Sequence, residues 1–100
     1  LLATLDNKSV GCIALRELNS NSCEMKRLYI KEAYRGQGIG KMLVTRLIDE
    51  ARKMKYEYMK LDTLPGMKRA QEIYESYGFY DINPFDYNPI DGTRYMELKL

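Results

Sequence analysis

Tyr34-Arg35-Gly36-Gln37-Gly38-Ile39-Gly40-Lys41 decides how this chain is read, because the residue pattern changes period across it. Before it, Cys23 to Ile30 reads as a strand, with Glu24, Lys26, Leu28 and Ile30 on one face and Cys23, Met25, Arg27 and Tyr29 on the other. After it, Leu43, Val44, Leu47, Ile48, Ala51 and Met54 recur at three- and four-residue spacing, with Lys41, Arg46, Asp49, Glu50 and Arg52 opposite. This predicts an amphipathic helix from Gly40 to Met54. The glycines thus join a strand directly to a helix N-terminus. Glycines at alternate positions leave backbone amides uncrowded, and the helix end adds unpaired N–H groups and a partial positive charge. A phosphate group fits such a turn, and Arg35 and Lys41 flank it with the charge to neutralise a diphosphate.

Three phosphate-binding turns compete for these residues. The dinucleotide fingerprint GxGxxG, begun at Gly36, needs a glycine where Lys41 stands. The P-loop GxxxxGK[ST], ending in Gly40-Lys41, needs a glycine in place of Arg35 and a hydroxyl residue in place of Met42. The pattern R-x-x-G-x-G is met at Arg35, Gly38 and Gly40. The plain alternative is a glycine-rich turn with no ligand, which would spend backbone entropy that an ordinary connection does not need.

Working outward, Leu1 to Leu5 and Val10 to Leu18 read as strands separated by Asp6-Asn7-Lys8-Ser9, and Asn19-Ser20-Asn21-Ser22 turns the chain into Cys23 to Ile30. A three-stranded antiparallel meander is the simplest account. Downstream, Tyr58 to Thr63 is a short strand, Leu64-Pro65-Gly66 breaks it, and Met67 to Tyr77 is a second helix that Gly78 ends as a left-handed cap. Phe79 to Ile82 and Arg94 to Leu100 close the sequence as strands, with Pro84, Pro89 and Asp91-Gly92 in the loop between them. This order predicts one α/β (α+β) domain over residues 1–100, a mixed and mostly antiparallel sheet with flanking helices.

Composition bounds the function. Forty-five per cent hydrophobic and 30% charged residues describe an ordinary globular chain, and no apolar run approaches the roughly 20 residues that span a bilayer. A net charge of +2 gives no whole-surface reason to expect nucleic acid or anionic lipid. Nine tyrosines without a basic stripe read as sheet and helix filling rather than a base-stacking platform. Cys12 and Cys23 lack CxxC spacing, which suggests neither zinc nor a redox pair and fits thiols in a reducing cytoplasm. No histidine is present, so Ser-His and Cys-His nucleophilic machinery is excluded and carboxylate, tyrosine, lysine or water must move protons. The opening Leu1-Leu2-Ala3-Thr4-Leu5 has neither an initiator methionine nor a basic region before an apolar stretch, so it reads as neither a leader nor a natural start but as a fragment.

The motif at Arg35, Gly38 and Gly40, set between a strand and an amphipathic helix, resembles the coenzyme A pyrophosphate turn of the Gcn5-related N-acetyltransferase (GNAT) family. Ala70, Ile73-Tyr74 and Gly78-Phe79 resemble that family's A-x-x-h-Y-x-x-x-G-F ending. The likeness runs over nearly the whole chain, from the family's second strand to its last, without the family's first strand and first two helices. It implies the acyl-CoA N-acyltransferase fold, acetyl-CoA as cosubstrate, no metal, and direct transfer in a ternary complex to an amine of a small molecule or protein; it admits a homodimer. It implies cofactor contacts at Leu28, Tyr29 and Ile30, whose backbone would pair with the pantetheine arm, and at Arg35, Gly36, Gln37, Gly38, Ile39, Gly40 and Lys41. A backbone N–H near Leu28 or Tyr29 would polarise the thioester carbonyl. Many relatives carry asparagine where this chain has Met67.

For catalysis the resemblance implies Tyr74 as the acid that protonates the coenzyme A thiolate, and Glu24 as the base that takes the ammonium proton through water. Each has a plain alternative: Tyr74 lies at helical spacing with Ala70 and Tyr77 and suits a core, and Glu24 suits a solvated strand end. Asp62, Thr63 and the Tyr87-Asn88-Pro89 loop fall where the family's architecture puts the acceptor end, although an acidic residue at a strand end is also an ordinary cap. Two other classes stay open, a non-catalytic acyl-CoA-binding or regulatory module and an interaction domain with no cofactor.

Overall fold

The computed structural model describes residues 2–5, 8–85 and 89–100. Its elements follow in the order β1 (Leu2–Leu5), β2 (Lys8–Glu17), β3 (Ser22–Ile30), a 3-10 turn (Glu32–Tyr34), α1 (Ile39–Lys53), β4 (Tyr58–Thr63), α2 (Lys68–Ser76), β5 (Tyr80–Asp81) and β6 (Arg94–Lys99). The six strands form one sheet ordered β1-β2-β3-β4-β6-β5. All neighbours run antiparallel except β3 and β4. This is the mixed, mostly antiparallel sheet with helices that the sequence predicts.

Helix α1 forms because its apolar residues recur on one stripe. Ile39, Leu43, Val44, Leu47, Ile48 and Ala51 are all buried, while Arg52 and Lys53 occupy the last turn, where cations suit the helix dipole. Helix α2 ends in a Schellman motif. Gly78 takes φ +98°, its N–H donates to the Glu75 carbonyl at 3.0 Å, and the Phe79 N–H donates to the Tyr74 carbonyl at 3.1 Å. The Phe79 ring then meets the Tyr74 ring at 5.7 Å, the apolar contact that usually completes such a cap.

The two faces of the sheet differ. Cross-strand partners share a face, and Leu15–Met25, Cys23–Met59, Met59–Leu98 and Leu61–Met96 make the apolar one. Their buried members join the buried residues of both helices in a single core. The other face carries a row of alternating charge across five strands, pairing Arg16 with Glu24, Glu24 with Lys60, Lys60 with Glu97 and Glu97 with Tyr80. Arg16 contacts Glu24 at 2.7 Å, Lys60 lies 3.7 Å from Glu97, and the Tyr80 hydroxyl donates to Glu97 at 2.5 Å. At the far end Arg94 joins three elements, donating to Asp81 at 3.0 and 3.1 Å, to Glu75 at 3.0 Å and to Gln71 at 3.1 Å.

The face assignment expected for β3 fails beyond Lys26. Lys26 pairs with Ala14 and Tyr29 with Cys12, so Arg27 and Leu28 together oppose Ile13 alone. This is a β-bulge, and it reverses the alternation. Tyr29 therefore shares the face of Glu24 and Lys26, and Ile30 shares that of Met25.

Gly11, opposite Ile30, is what allows the strands to close again after the bulge. A methyl group there would lie 2.7 Å from Ile30 Cδ1 and 2.8 Å from the Tyr29 carbonyl oxygen. Gly11→Ala is expected to cost about 1–3 kcal/mol in denaturant unfolding. Gly40→Ala, whose methyl group would sit 3.8 and 3.9 Å from Ile30 and Ile73, should be neutral or stabilising. Equal stability of the two variants would show that Gly11 has no packing role.

Candidate functional site

The glycine turn owes its shape to backbone sign rather than to crowding. Gly36 and Gly38 take φ +84° and +78°, a left-handed conformation that side chains resist. Gly38 caps α1 with no side-chain hydrogen bond, and the first helical bond runs from the Met42 N–H to the Gly38 carbonyl at 3.0 Å. The N–H groups of Ile39, Gly40 and Lys41 consequently have no acceptor inside the helix. A methyl group at Gly38 would meet nothing within 4 Å, so the space before these amides is open. Gly40 differs: it is an ordinary helical residue where an added methyl group would just reach Ile30 and Ile73, and only the first two glycines need to be glycine for their conformation.

These amides face a cleft of about 640 Å³ between the end of β3, the turn and the first half of α2. Of the residues named for cofactor contacts, Leu28, Tyr29, Ile30, Arg35, Gly36, Gly38, Ile39, Gly40 and Lys41 line it. Gln37 is exposed and does not. Arg35 is held in place by its Nε, which donates to the Ile30 carbonyl at 2.9 Å, and by the Tyr29 ring 5.9 Å from its guanidinium carbon. Its terminal nitrogens keep their donors for an anion. Three α1 N–H groups beside a guanidinium and a lysine suit a diphosphate in charge and in donor number.

The cleft also borders a gap in the sheet. The β3–β4 ladder pairs only Ser22 with Tyr58, Cys23 with Met59 and Glu24 with Lys60. Beyond Glu24, β3 continues to Ile30 along β2, while β4 continues to Thr63 along β6. The facing edges are left without each other as partners, which is where an extended amide chain can add main-chain hydrogen bonds. The bulge at Arg27 and Leu28 lies on this same unpaired part of β3.

Neither expected proton carrier lines the cleft. Tyr74 is buried at 5% exposure, one residue from Ile73 on the cleft wall, with its ring in the core. Burial, and secondarily the charge of Asp62, pushes its phenol up to about 12. Glu24, rather than being solvated, is 1% exposed. Its Oε1 accepts from Arg16 Nη2 at 2.7 Å and Nε at 3.1 Å, and its Oε2 lies 3.9 Å from the Lys26 ammonium. It stands at the last rung before β3 and β4 part. Asp62 is half-buried, and Thr63 is buried with its hydroxyl oxygen unpartnered among the described residues. Tyr87 and Asn88 lie outside the described residues, while Pro89 is exposed.

Sequence reading missed the second wall. Lys68 and Arg69 enter the cleft from the start of α2, where their adjacency was the only signal. Met67, in place of asparagine, caps α2 without a side-chain bond, and Gln71 Nε2 instead donates to the Leu64 carbonyl at 2.9 Å. Tyr77 ties the walls together: its hydroxyl donates to the Lys41 carbonyl at 3.0 Å and meets the Thr45 hydroxyl, which donates to the same carbonyl at 2.9 Å.

Among the described residues no cluster of three His, Cys, Asp or Glu side chains is placed to hold a metal ion, and no helix is long and apolar enough to cross a membrane.

Known proteins resemble this chain in sequence and in fold. The model of the acetyltransferase (GNAT) family matches residues 1–79. An uncharacterized N-acetyltransferase of Dictyostelium discoideum is 48% identical over 79 residues, covering 78% of this chain and 37% of that protein. An uncharacterized N-acetyltransferase of Schizosaccharomyces pombe is 38% identical over 93 residues, covering 92% of this chain and 57% of that protein. The chain thus spans between about a third and three fifths of these relatives. The crystal structure of a GNAT family acetyltransferase from Elizabethkingia anophelis with acetyl-CoA bound superposes with a TM-score of 0.85 at 23% identity, over 99% of this chain and 74% of that one, so the fold is shared. With the glycine turn, the parted strands and the matched family model in agreement, the chain belongs to the GNAT family of acetyltransferases.

Proposed function

We propose that this domain transfers an acetyl group from acetyl-CoA to a primary amine of a small molecule or protein, by direct attack in a ternary complex. One observation carries the reading: the left-handed turn at Gly36 and Gly38 aims unpaired α1 amides into a cleft that is also walled by Leu28, Tyr29 and Ile30, where β4 no longer pairs with β3. Acetyl-CoA supplies an acyl group activated as a thioester, with a thiol as leaving group. In this reading the N–H groups of Ile39, Gly40 and Lys41 hold the diphosphate together with the side chains of Arg35 and Lys41. The free edge of Leu28-Tyr29-Ile30 pairs with the pantetheine arm, and an N–H at the bulge polarises the carbonyl. Family membership supports the reaction class, and a fold relative with acetyl-CoA bound supports the choice of acyl donor. A buried thiol such as Cys23, pushed up to about 11 by burial, suits the cytoplasm.

Tyr74 is the proposed acid for the leaving thiolate and Glu24 the proposed base, acting through water. The Tyr74 phenol keeps its proton throughout the neutral range. Glu24 stands beside the parting of the strands, next to the acyl end of the cleft in this reading. The burial of both away from the cleft favours one second reading, an acyl-CoA-binding or regulatory module without turnover. Thiol release, measured with a panel of amines and corrected for hydrolysis, separates the two.

Three substitutions test the parts. Gly38→Asp puts a carboxylate into open space before the α1 amides and should weaken acetyl-CoA binding by about tenfold or more in calorimetry, beyond any loss in Gly38→Asn, which bears the same backbone strain without the charge. Unchanged affinity in Gly38→Asp would remove the basis of the acyl-CoA reading. Tyr74→Phe should lower kcat by about a hundredfold with acetyl-CoA affinity held. Because the phenol ionises only near about 12, any loss of activity below that pH belongs to another group and should persist in the variant. A kcat equal to the wild type leaves Tyr74 with its core role alone. Glu24→Gln should lower kcat by about a hundredfold with acetyl-CoA affinity held, and an unaltered kcat would clear Glu24 of base duty.

A further inference from the structure

The cleft holds more positive charge than a diphosphate needs. Arg35 and Lys41 already match two negative charges on the glycine side, while Lys68 and Arg69 add two cations on the facing wall. Among the described residues, Glu72 is the one acidic side chain lining it. Among the described residues, no ion pair engages Lys41, Lys68 or Arg69. Arg69 Nη2 lies 4.0 Å from where a methyl group on Gly36 would sit, so its guanidinium spans the cleft to the turn.

The placement also opposes the helix that carries it. Lys68 and Arg69 are the first residues of α2, at the positive end of its dipole, and no acidic residue in that turn offsets them. Cations there work against the helix and gain only if an anion arrives from the cleft. Coenzyme A carries, besides its diphosphate, a phosphate monoester on the ribose 3′-oxygen, with a charge of about −1.5 to −2 near neutrality. Two unpaired cations facing a diphosphate cradle match that group.

We infer that Lys68 and Arg69 form a subsite for the 3′-phosphate and make the cleft select the 3′-phosphorylated cofactor over its 3′-dephospho form. This rests on the acyl-CoA reading of the cleft. Lysine supplies a point charge, and arginine a planar fork that reaches two phosphate oxygens.

Calorimetric titration of the full chain with coenzyme A and with 3′-dephospho-coenzyme A tests it, using wild type and a Lys68→Ala/Arg69→Ala double variant. The wild type should bind coenzyme A at least about tenfold more tightly than the dephospho form. The double variant should lose that preference to within about twofold, keep its affinity for the dephospho form, and unfold at or above the wild-type temperature without ligand. A wild type that binds both ligands equally, or a double variant that weakens both alike, overturns the subsite and leaves the acyl-CoA reading standing. A wild type that binds neither overturns that reading and the subsite with it.

Discussion

Three rungs of parallel ladder, from Ser22–Tyr58 to Glu24–Lys60, are the sheet contact that joins the β1-β2-β3 half to the β4-β6-β5 half. The approach to this ladder is fixed by the Asn21 carbonyl, which accepts from the N–H groups of Glu57 at 2.8 Å and Tyr58 at 3.1 Å. A longer ladder would seal the sheet and leave no free backbone beside the cleft; without the ladder the halves would be joined by helix packing and not by the sheet. The bulge and the glycine turn both act on the strand segment that this early parting releases. The cleft is thus made by stopping a regular structure early, and in the proposed reading the unpaired polar groups left behind are those that would pair with an amide chain.

Much of this was legible from residue spacing. The apolar stripe from Leu43 to Ala51 can only be a helix on a core, and the glycines before it mark a turn, although the left-handed backbone of Gly36 and Gly38 shows only in the structure. Gly78 ends α2 as its position after Tyr77 predicts. The bulge was not legible, because Met25-Lys26-Arg27-Leu28 alternates no differently from a regular strand and the extra residue shows only against Ile13 on the neighbouring strand. The burial of Glu24 was hidden for the same reason. A glutamate flanked by Cys23 and Met25 reads as the exposed member of an alternating pair, and only the cross-strand Arg16 shows that it is neutralised in place. Lys68 and Arg69 escaped notice because surface cations are common in any helix, and their meaning depends on what lies across the cleft.

The charged row on the sheet face away from both helices follows from the same topology. A buried carboxylate such as Glu24 is tolerable only with close opposite charge and hydrogen-bond donors, which Arg16 supplies at Oε1 while the Lys26 ammonium lies 3.9 Å from Oε2. Phe85 covers part of this face, with its ring 5.6 Å from Tyr95 and 5.8 Å from the Lys60 ammonium. The row makes this face discriminating in register, since a slip by one residue would bring apolar Cys23 or Met25 against charge.

The Tyr77 hydroxyl has an effect out of proportion to its size. By bridging the end of α2 to the opening turn of α1, it sets the spacing of the two walls before anything enters between them. In the acyl-CoA reading a ligand would enter a groove whose walls are already joined and would lose little ordering entropy in drawing two helices together. Within the braced cleft the side chains of Lys41, Lys68 and Arg69 are the groups left to reorient, on the fast timescale of exposed side chains rather than that of whole helices.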